Sequence, residues 1–378
     1  MKSICFVTTG DIKDIATAKR ALGLANPLSD LGWQVSIIME DTEENRHRVG
    51  LECRDDIRVC YFPRCHVSKE LAYKRRLLRE IDPDFVYLCA FVVRNIVGWR
   101  HTCRKLVEHS ELQTGIDDRK GLRRMLDYIT EYASLIYADG LLNASAYLQD
   151  IYRNRAKHLP FKGNMPMLYF PYAYNPQLVD RCGSKLPGNM AAPCFYENKT
   201  VFIYLGTITR NYGAFTIVEA ARLLKEKTRD FCVILLGRGR DYEESLRLVR
   251  EYDLESHVYL PGFVEEEYIP AYFSIASAFI SPMNDSVQDW ARCPSKLYMY
   301  LPYRKPIITC KIGEPYQVLR EDGLYYSPND SEGLQNQMLK VIHKEFASLD
   351  IDSKTHTWEF RAMTLNTWIK QNFSICQK

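Results

Sequence analysis

The sequence predicts an α/β fold: two doubly wound, Rossmann-like domains facing each other across a cleft. Three observations carry that prediction. Short apolar runs alternate with stretches of helical periodicity along the chain, the pattern of buried parallel strands crossed over by helices. One stretch, Tyr172 to Thr200, gathers Pro176, Gly183, Pro187, Gly188 and Pro193 and divides the alternation in two. In the second half the strands run out into polar, glycine-bearing turns, which is where doubly wound sheets hold their ligands.

The bulk composition narrows the class. The chain has 378 residues, 46% hydrophobic and 26% charged, as expected of a soluble protein of two domains. A formal net charge of +3 is too small to argue for nucleic acid. Twelve cysteines lie scattered without C-x-x-C pairs or Cys/His clusters, which reads as reduced thiols rather than disulfides or a zinc site. The apolar run from Ile4 to Val7 is too short for a signal peptide, and no stretch is long enough to span a membrane. The expected location is therefore the cytoplasm, with room for a peripheral place at the inner face of a membrane.

In chain order, Ser3 to Thr9 reads as a strand ending at Gly10, whose missing side chain would let a ligand approach the backbone or simply allow a turn. A helix with Ala16, Ala21, Leu24, Leu28 and Leu31 on one face ends at Gly32, and Gln34 to Met39 is the next strand. Ile57 to Phe62 and Phe85 to Cys89 are further strands, with a basic helix from Lys69 to Glu80 between them. Asp82-Pro83-Asp84 is a proline turn rather than a metal pair. Arg104 to Val107 is a short strand running into Glu108-His109-Ser110-Glu111, which sets a histidine and carboxylates at the mouth of the sheet. His109 there would serve proton transfer or meet a developing charge, or be an ordinary loop histidine. Tyr128 to Tyr137 is helical, Gly140 to Asn143 a strand, Ser145 the cap of a helix from Tyr147 to Arg155, and Met167 to Pro171 the last strand of the half.

The second half repeats the plan. Strands are expected at Val201 to Leu205, Phe231 to Leu236, Val258 to Leu260, Ala278 to Ser281 and Ile307 to Cys310. Helices are expected at Ala214 to Glu226, Glu243 to Glu251 and Glu266 to Ser274. Pro294 and Ser295 then open a short helix, with the serine hydroxyl as its cap and Leu297, Tyr300 and Leu301 on its buried face. A helix start bearing Ser295 and Lys296 is a seat for phosphate, although a capped helix with a solvated lysine looks the same.

These segments together resemble the GT-B glycosyltransferases, specifically the retaining glycosyltransferase family 4. The resemblance rests on Tyr204-Leu-Gly-Thr with Gly213 and Ile217-Val-Glu-Ala-Ala, on Leu235-Leu-Gly-Arg-Gly, and on Val258-Tyr-Leu-Pro-Gly-Phe-Val. It continues through Ala276-Ser-Ala-Phe-Ile-Ser-Pro, Pro294-Ser-Lys-Leu-Tyr-Met-Tyr-Leu, Lys305-Pro-Ile-Ile and Asp322-Gly-Leu. It covers Val201 to Asp330. The first half matches more loosely, through Leu31-Gly-Trp-Gln-Val, Asp82-Pro-Asp-Phe-Val-Tyr and Ala138-Asp-Gly-Leu-Leu-Asn-Ala-Ser.

The resemblance implies an acceptor domain at 1–172, a linker at 173–200, a donor domain at 201–357, and a closing helix at 358–373 that returns to the first domain. It implies transfer of a sugar from a UDP- or GDP-linked donor to a glycan, lipid-linked or protein acceptor, with retention and without a metal or other cofactor. The donor residues would be Gly206, Thr207, Arg210, Gly237, Arg238, Phe263, Asp289, Pro294, Ser295, Lys296 and Leu297. Lys296 is expected exposed in an empty cleft. His109 and Glu111 would be catalytic, and Gly10 would line the first domain's edge. The chain departs from the family where two glutamates are usual, since Ala291 and Met299 stand there, and Tyr212 replaces a basic residue. That leaves a second reading, a catalytically silent GT-B protein that serves a partner transferase or binds an acceptor. Basic stretches at Lys74 to Arg79 and Arg153 to Lys162 raise a peripheral contact with anionic lipid against the simpler reading of solvated helix faces.

Overall fold

The computed structural model describes residues 2–13, 17–98, 103–116, 119–179, 193–347 and 349–373. The chain forms two compact units. The first comprises residues 1–173, a three-residue segment Ala291–Cys293, and the chain from Lys354 onward; the second comprises Tyr174–Trp290 and Pro294–Ser353. The short helices α6 (Pro176–Val179) and α7 (Pro193–Tyr196) lie within the predicted linker, and residues 180–192 of that linker lie outside the described residues.

The first unit is built on strands β1 (Lys2–Val7), β2 (Trp33–Glu40), β3 (Arg58–Phe62), β4 (Phe85–Leu88), β5 (Arg104–His109), β6 (Gly140–Asn143) and β7 (Met167–Tyr169). They pair in parallel in the order β3-β2-β1-β4-β5-β6-β7. These strands are apolar runs because both faces are covered. On one face Ile4 and Phe6 pack with Ala21, Leu24 and Leu28 of α1 (Thr17–Asp30). On the other, Cys5, Val7, Val86 and Val107 pack under α3 (Val67–Ile81), α4 (Gly121–Tyr137) and α5 (Ala146–Lys157). Ser145 caps α5 as expected, accepting from Leu148 N at 3.2 Å.

Several helices escaped the sequence reading, and the first of them shows why. Helix α2 (Glu43–Glu52) has no apolar stripe, and Asn45 is its only buried residue. It is held by polar contacts instead. Thr42 caps it, and the Asn45 side chain accepts from Ile12 N at 3.0 Å and donates to Glu40 O at 2.9 Å.

The second unit has strands β8 (Thr200–Leu205), β9 (Phe231–Leu236), β10 (Val258–Gly262), β11 (Ala278–Ser281), β12 (Ile307–Thr309) and β13 (Leu324–Tyr325). All are parallel, in the order β10-β9-β8-β11-β12-β13. Helices α8 (Ala214–Lys225), α9 (Tyr242–Glu251), α10 (Ile269–Ile275), α11 (Val287–Ala291), α12 (Ser295–Tyr300), α13 (Gly313–Leu319) and α14 (Ser331–Ile342) follow in order. In both sheets the strand order reverses beside the first strand of the unit, which marks the carboxyl-end crevice where such sheets bind ligands. In the second unit that switch point lies between β8 and β11.

The last helix, α15 (Trp358–Asn372), belongs to the first unit. Trp358, Ala362, Leu365, Trp368 and Ile369 enter the same core as Ile4, Phe6 and Trp33. Two glycines make room: a side chain at Gly23 would meet the Trp358 ring at 2.5 Å, and one at Gly140 would meet Trp368 at 2.7 Å.

Two expectations about charge are corrected. Glu108 is not at the sheet's mouth. It is buried against α1, where Arg20 Nε lies 2.5 Å from its Oε1 and the Tyr87 hydroxyl donates to its Oε2 at 2.9 Å. Burial pushes the Glu108 carboxyl up, and Arg20 draws it back down. Nor is Lys74 part of a solvated basic face. Its ammonium is buried, 3.0 Å from Glu70 Oε1 and 3.2 Å from Asn95 Oδ1, and burial lowers its pKa to about 8. Leu78 beside it is buried too, so α3 offers a lipid surface cations without an apolar stripe.

Candidate functional site

In the second unit three loops lie side by side at the carboxyl edge of the sheet. Gly206 N donates to Leu236 O at 2.9 Å, Ile208 N to Arg238 O at 3.1 Å, and Gly237 N to Gly262 O at 2.9 Å. So tight a stack needs glycine. Gly206 and Gly237 have φ of 150° and 139°, and a side chain at Gly237 would overlap the Gly206 carbonyl oxygen. The polar turns that the sequence shows after β8, β9 and β10 therefore form one backbone surface.

Lys296 stands over that surface from α12. Its Nζ lies 4.0 Å from the centre of the Tyr204 ring, and a Cβ at Gly206 would be 3.1 Å from it. Lys296 is half-buried, not exposed in open space as expected. Tyr204 is itself fixed, its hydroxyl donating to Thr207 O at 2.9 Å. The result is an ammonium held by an aromatic face beside bare backbone at the switch point.

Other predicted donor residues fall around this point with different fates. Arg210 is exposed, its guanidinium 4.6 Å from the Phe215 ring, and its backbone N–H donates to Asp241 Oδ2 at 2.8 Å. Arg238 is exposed over Tyr242, and Thr207 and Phe263 are exposed on neighbouring loops. Pro294 and Leu297 are buried and seat α12. Ser295 is the first residue of the helix, and no side chain caps it; Pro294 occupies the cap position and Leu297 N donates back to Pro294 O at 3.0 Å. The expectation of a capping hydroxyl was wrong because the helix starts one residue earlier than a Ser295 cap would require.

Asp289 is buried and turned into its own loop, with Oδ2 accepting from Asn284 N at 2.5 Å. Asn284 in turn donates to Asn211 O at 2.5 Å, tying the loops after β8 and β11 across the switch point. Two hydroxyls there, Thr209 Oγ1 and Ser281 Oγ, are buried without a hydrogen-bond partner among the described residues. Tyr204, Asn284, Thr209 and Ser281 are the residues the sequence reading passed over. Their hydroxyls and amide sit in ordinary strand and loop positions, and only the crossing of chains reveals them.

At the carboxyl edge of the first sheet, His109 is the last residue of β5, not a loop residue. It is buried, stacked 4.0 Å from the Tyr152 ring, with Nε2 2.9 Å from Ser134 Oγ. Ser134 spends its proton on Glu131 O at 2.7 Å, so its oxygen accepts from His109 Nε2–H and Nδ1 carries the lone pair. Burial, with the Arg155 charge nearby, lowers the His109 pKa to about 3. The ring is a fixed neutral tautomer. Beside it on β6, Asn143 is buried with neither amide atom hydrogen-bonded, and the Tyr152 hydroxyl is likewise unpartnered among the described residues. Glu111 is exposed, two residues past the strand. Gly10 follows β1 at φ 79°, and its carbonyl accepts from Asn45 Nδ2 at 3.3 Å. Among the described residues no group of three or more His, Cys, Asp or Glu side chains is arranged to hold a metal ion.

Residues 189–358 match the model of the glycosyl transferases group 1 family. The chain is 29% identical over 154 residues to the putative colanic acid biosynthesis glycosyltransferase WcaL of Escherichia coli (strain K12), covering 40% of this chain and 36% of that protein. It is 26% identical over 86 residues to the alpha-D-kanosaminyltransferase of Streptomyces kanamyceticus, covering 23% of this chain and 22% of that one. The aligned segments thus span about a third and about a fifth of those relatives. Among solved structures, Anabaena Alr3699/HepE, crystallised in complex with UDP and glucose, superposes with a TM-score of 0.75 at 11% identity, covering 98% of this chain and 100% of that one. A likeness at that identity speaks for the fold. Two parallel sheets of Rossmann order and this structural likeness give the chain the GT-B fold, and residues 189–358, a little under half of it, carry the match to the glycosyl transferases group 1 model.

Proposed function

We propose that the chain transfers a sugar, with retention, from a UDP- or GDP-linked donor to a glycan, lipid-linked or protein acceptor. The diphosphate is met by Lys296 and by backbone N–H groups rather than by a resident metal ion. The carrying observation is Lys296 braced on Tyr204 beside the stacked Gly206 and Gly237 backbones at the switch point. A leaving nucleoside diphosphate gathers negative charge, and a positive group already fixed where that charge develops needs no reorganisation. The unmet hydroxyls of Thr209 and Ser281 add hydrogen-bonding capacity for the donor at the same edge. In the first domain, the lone pair on His109 Nδ1 and the unpartnered Asn143 amide suit recognition of sugar or acceptor hydroxyls. His109, held neutral, acts by accepting a hydrogen bond, not as a cation. A cytoplasmic place, at the inner face of a membrane, fits such a donor.

The silent reading keeps one specific support. Ala291 is buried in the first unit's core and its carbonyl accepts from Ser145 Oγ at 2.7 Å, while the nearest carboxylate, Asp289, is engaged in its loop. No acid then faces the donor's hydroxyls from this stretch. Incubating the purified protein with a panel of UDP- and GDP-sugars separates the two. Transfer or slow donor hydrolysis that persists in EDTA, with the anomeric configuration of the product retained by NMR, supports the proposal. Nucleotide binding without turnover supports the silent reading.

A further inference from the structure

The amino-terminal half of helix α4 turns its apolar residues outward. The helix's polar Glu131 and Ser134 face inward, where Glu131 takes Arg155 at 2.6 Å and Thr114 Oγ1 at 2.9 Å. Five of its large apolar residues face water, Leu122, Met125, Leu126, Ile129 and Ile136, each more than half exposed, while Leu135 and Tyr137 near its end are buried. At the 100° step of a helix Leu122, Met125, Leu126 and Ile129 fall on one stripe over the first half of α4; Ile136 lies on the same line, beyond Tyr132 and Ala133, which pack partly on the core. A contiguous apolar stripe of this length on a folded surface marks an interaction site.

The charge around the stripe identifies what it meets. Lys120, Arg123 and Arg124 are exposed at its amino-terminal end. The two acids of α4 are both withdrawn, Asp127 against Arg119 at 2.7 Å and Glu131 against Arg155. Tyr128, also exposed, borders the same end. The exposed surface of α4 is thus aliphatic and cationic, with no exposed carboxylate on the helix. Pairing with a second copy would gather like charges with nothing on the helix to neutralise them. We propose that α4 is an interfacial helix that lays Leu122, Met125, Leu126 and Ile129 into an anionic lipid surface, with Lys120, Arg123 and Arg124 on the headgroups. Since α4 follows β5 and begins at the carboxyl edge of the sheet, docking brings the edge that holds His109 and Asn143 to the lipid. This names the surface for the membrane location given above, yet it stands without the transferase reading, because binding is measured with no donor present.

The test is co-sedimentation of the full chain with vesicles of phosphatidylglycerol and of phosphatidylcholine at low salt. The expected result is binding to the anionic vesicles, little to the neutral ones, and release at high salt. Leu122→Ser/Leu126→Ser/Ile129→Ser should weaken binding at least tenfold, and Arg123→Gln/Arg124→Gln about tenfold or more. Because all five side chains are exposed, thermal unfolding should stay within a degree or two of wild type, and the arginine pair serves if the serine variant is poorly behaved. Equal binding to both lipids, no binding to either, or variants that bind as wild type would each overturn the proposal. So would lipid-free dimerisation abolished by the same serine substitutions, which would make the stripe a subunit interface.

Discussion

Replacing Lys296 by alanine separates a ligand role from a structural one. In the free protein its ammonium lies 4.0 Å over Tyr204 and is half-buried. Loss of that contact should cost the fold about 0.5–1 kcal/mol, a drop of about one degree in a chain this size. A charge-assisted contact to a diphosphate oxygen in such a partly shielded place contributes about 1.5–3 kcal/mol. The six-residue helix α12 is short, so its dipole adds at most ~0.3 kcal/mol. Lys296→Ala should therefore bind UDP or GDP about ten- to a hundredfold more weakly than wild type by isothermal titration. Lys296→Arg should recover little, because the larger planar fork, though it can stack on Tyr204, does not fit the tight space beside Gly206 as a compact ammonium does. If Lys296→Ala unfolds earlier yet binds the diphosphate as tightly as wild type, the lysine only braces Tyr204 and the donor site lies elsewhere.

Gly237→Ala should push the β8 and β9 loops apart, costing the fold ~2 kcal/mol or more and weakening nucleotide binding with it; calorimetry and titration read the two together. Since burial depresses the His109 pKa to about 3, the unfolded chain takes up a proton there first as pH falls below about 6.5. His109 therefore adds stability above that pH that is lost on acidification toward pH 3, and His109→Gln should flatten the fall of Tm across this window. No rate inflection near pH 6 to 7 should belong to His109, and one that disappears in His109→Gln would contradict the neutral ring. Glu108→Gln leaves Arg20 buried without its counter-charge, so it should destabilise the first unit by about 3–5 kcal/mol in denaturant unfolding.

How far the sequence can be read depends on what holds each element. Strands buried on both faces, such as Gly140–Asn143, Phe231–Leu236 and Ala278–Ser281, show as apolar runs and are legible to the residue. Helix α2 is illegible because Thr42 and Asn45 hold it, and side-chain hydrogen bonds leave no periodicity. The amino-terminal half of α4 is illegible for the opposite reason: its apolar residues point to water, against the pattern on which such readings rest. At the site, the glycines and Lys296 are visible as residue types in expected places. That Glu108 turns inward depends on Arg20, far along the chain, and that Asp289 folds into its own loop depends on a turn at Asn284 that leaves no periodic signal.

The placement of α15 has a consequence for synthesis. Trp358, Leu365 and Trp368 fill a core otherwise made by residues near the amino terminus, while the whole second domain is translated in between. A nascent first domain emerges with α1 on that face of its sheet but the place of α15 uncovered, and it must wait, part of its core open, until the second has been made. Chaperone binding in this interval, and its persistence when translation is stopped short of Trp358, should be the cellular mark of a chain whose first domain is finished last.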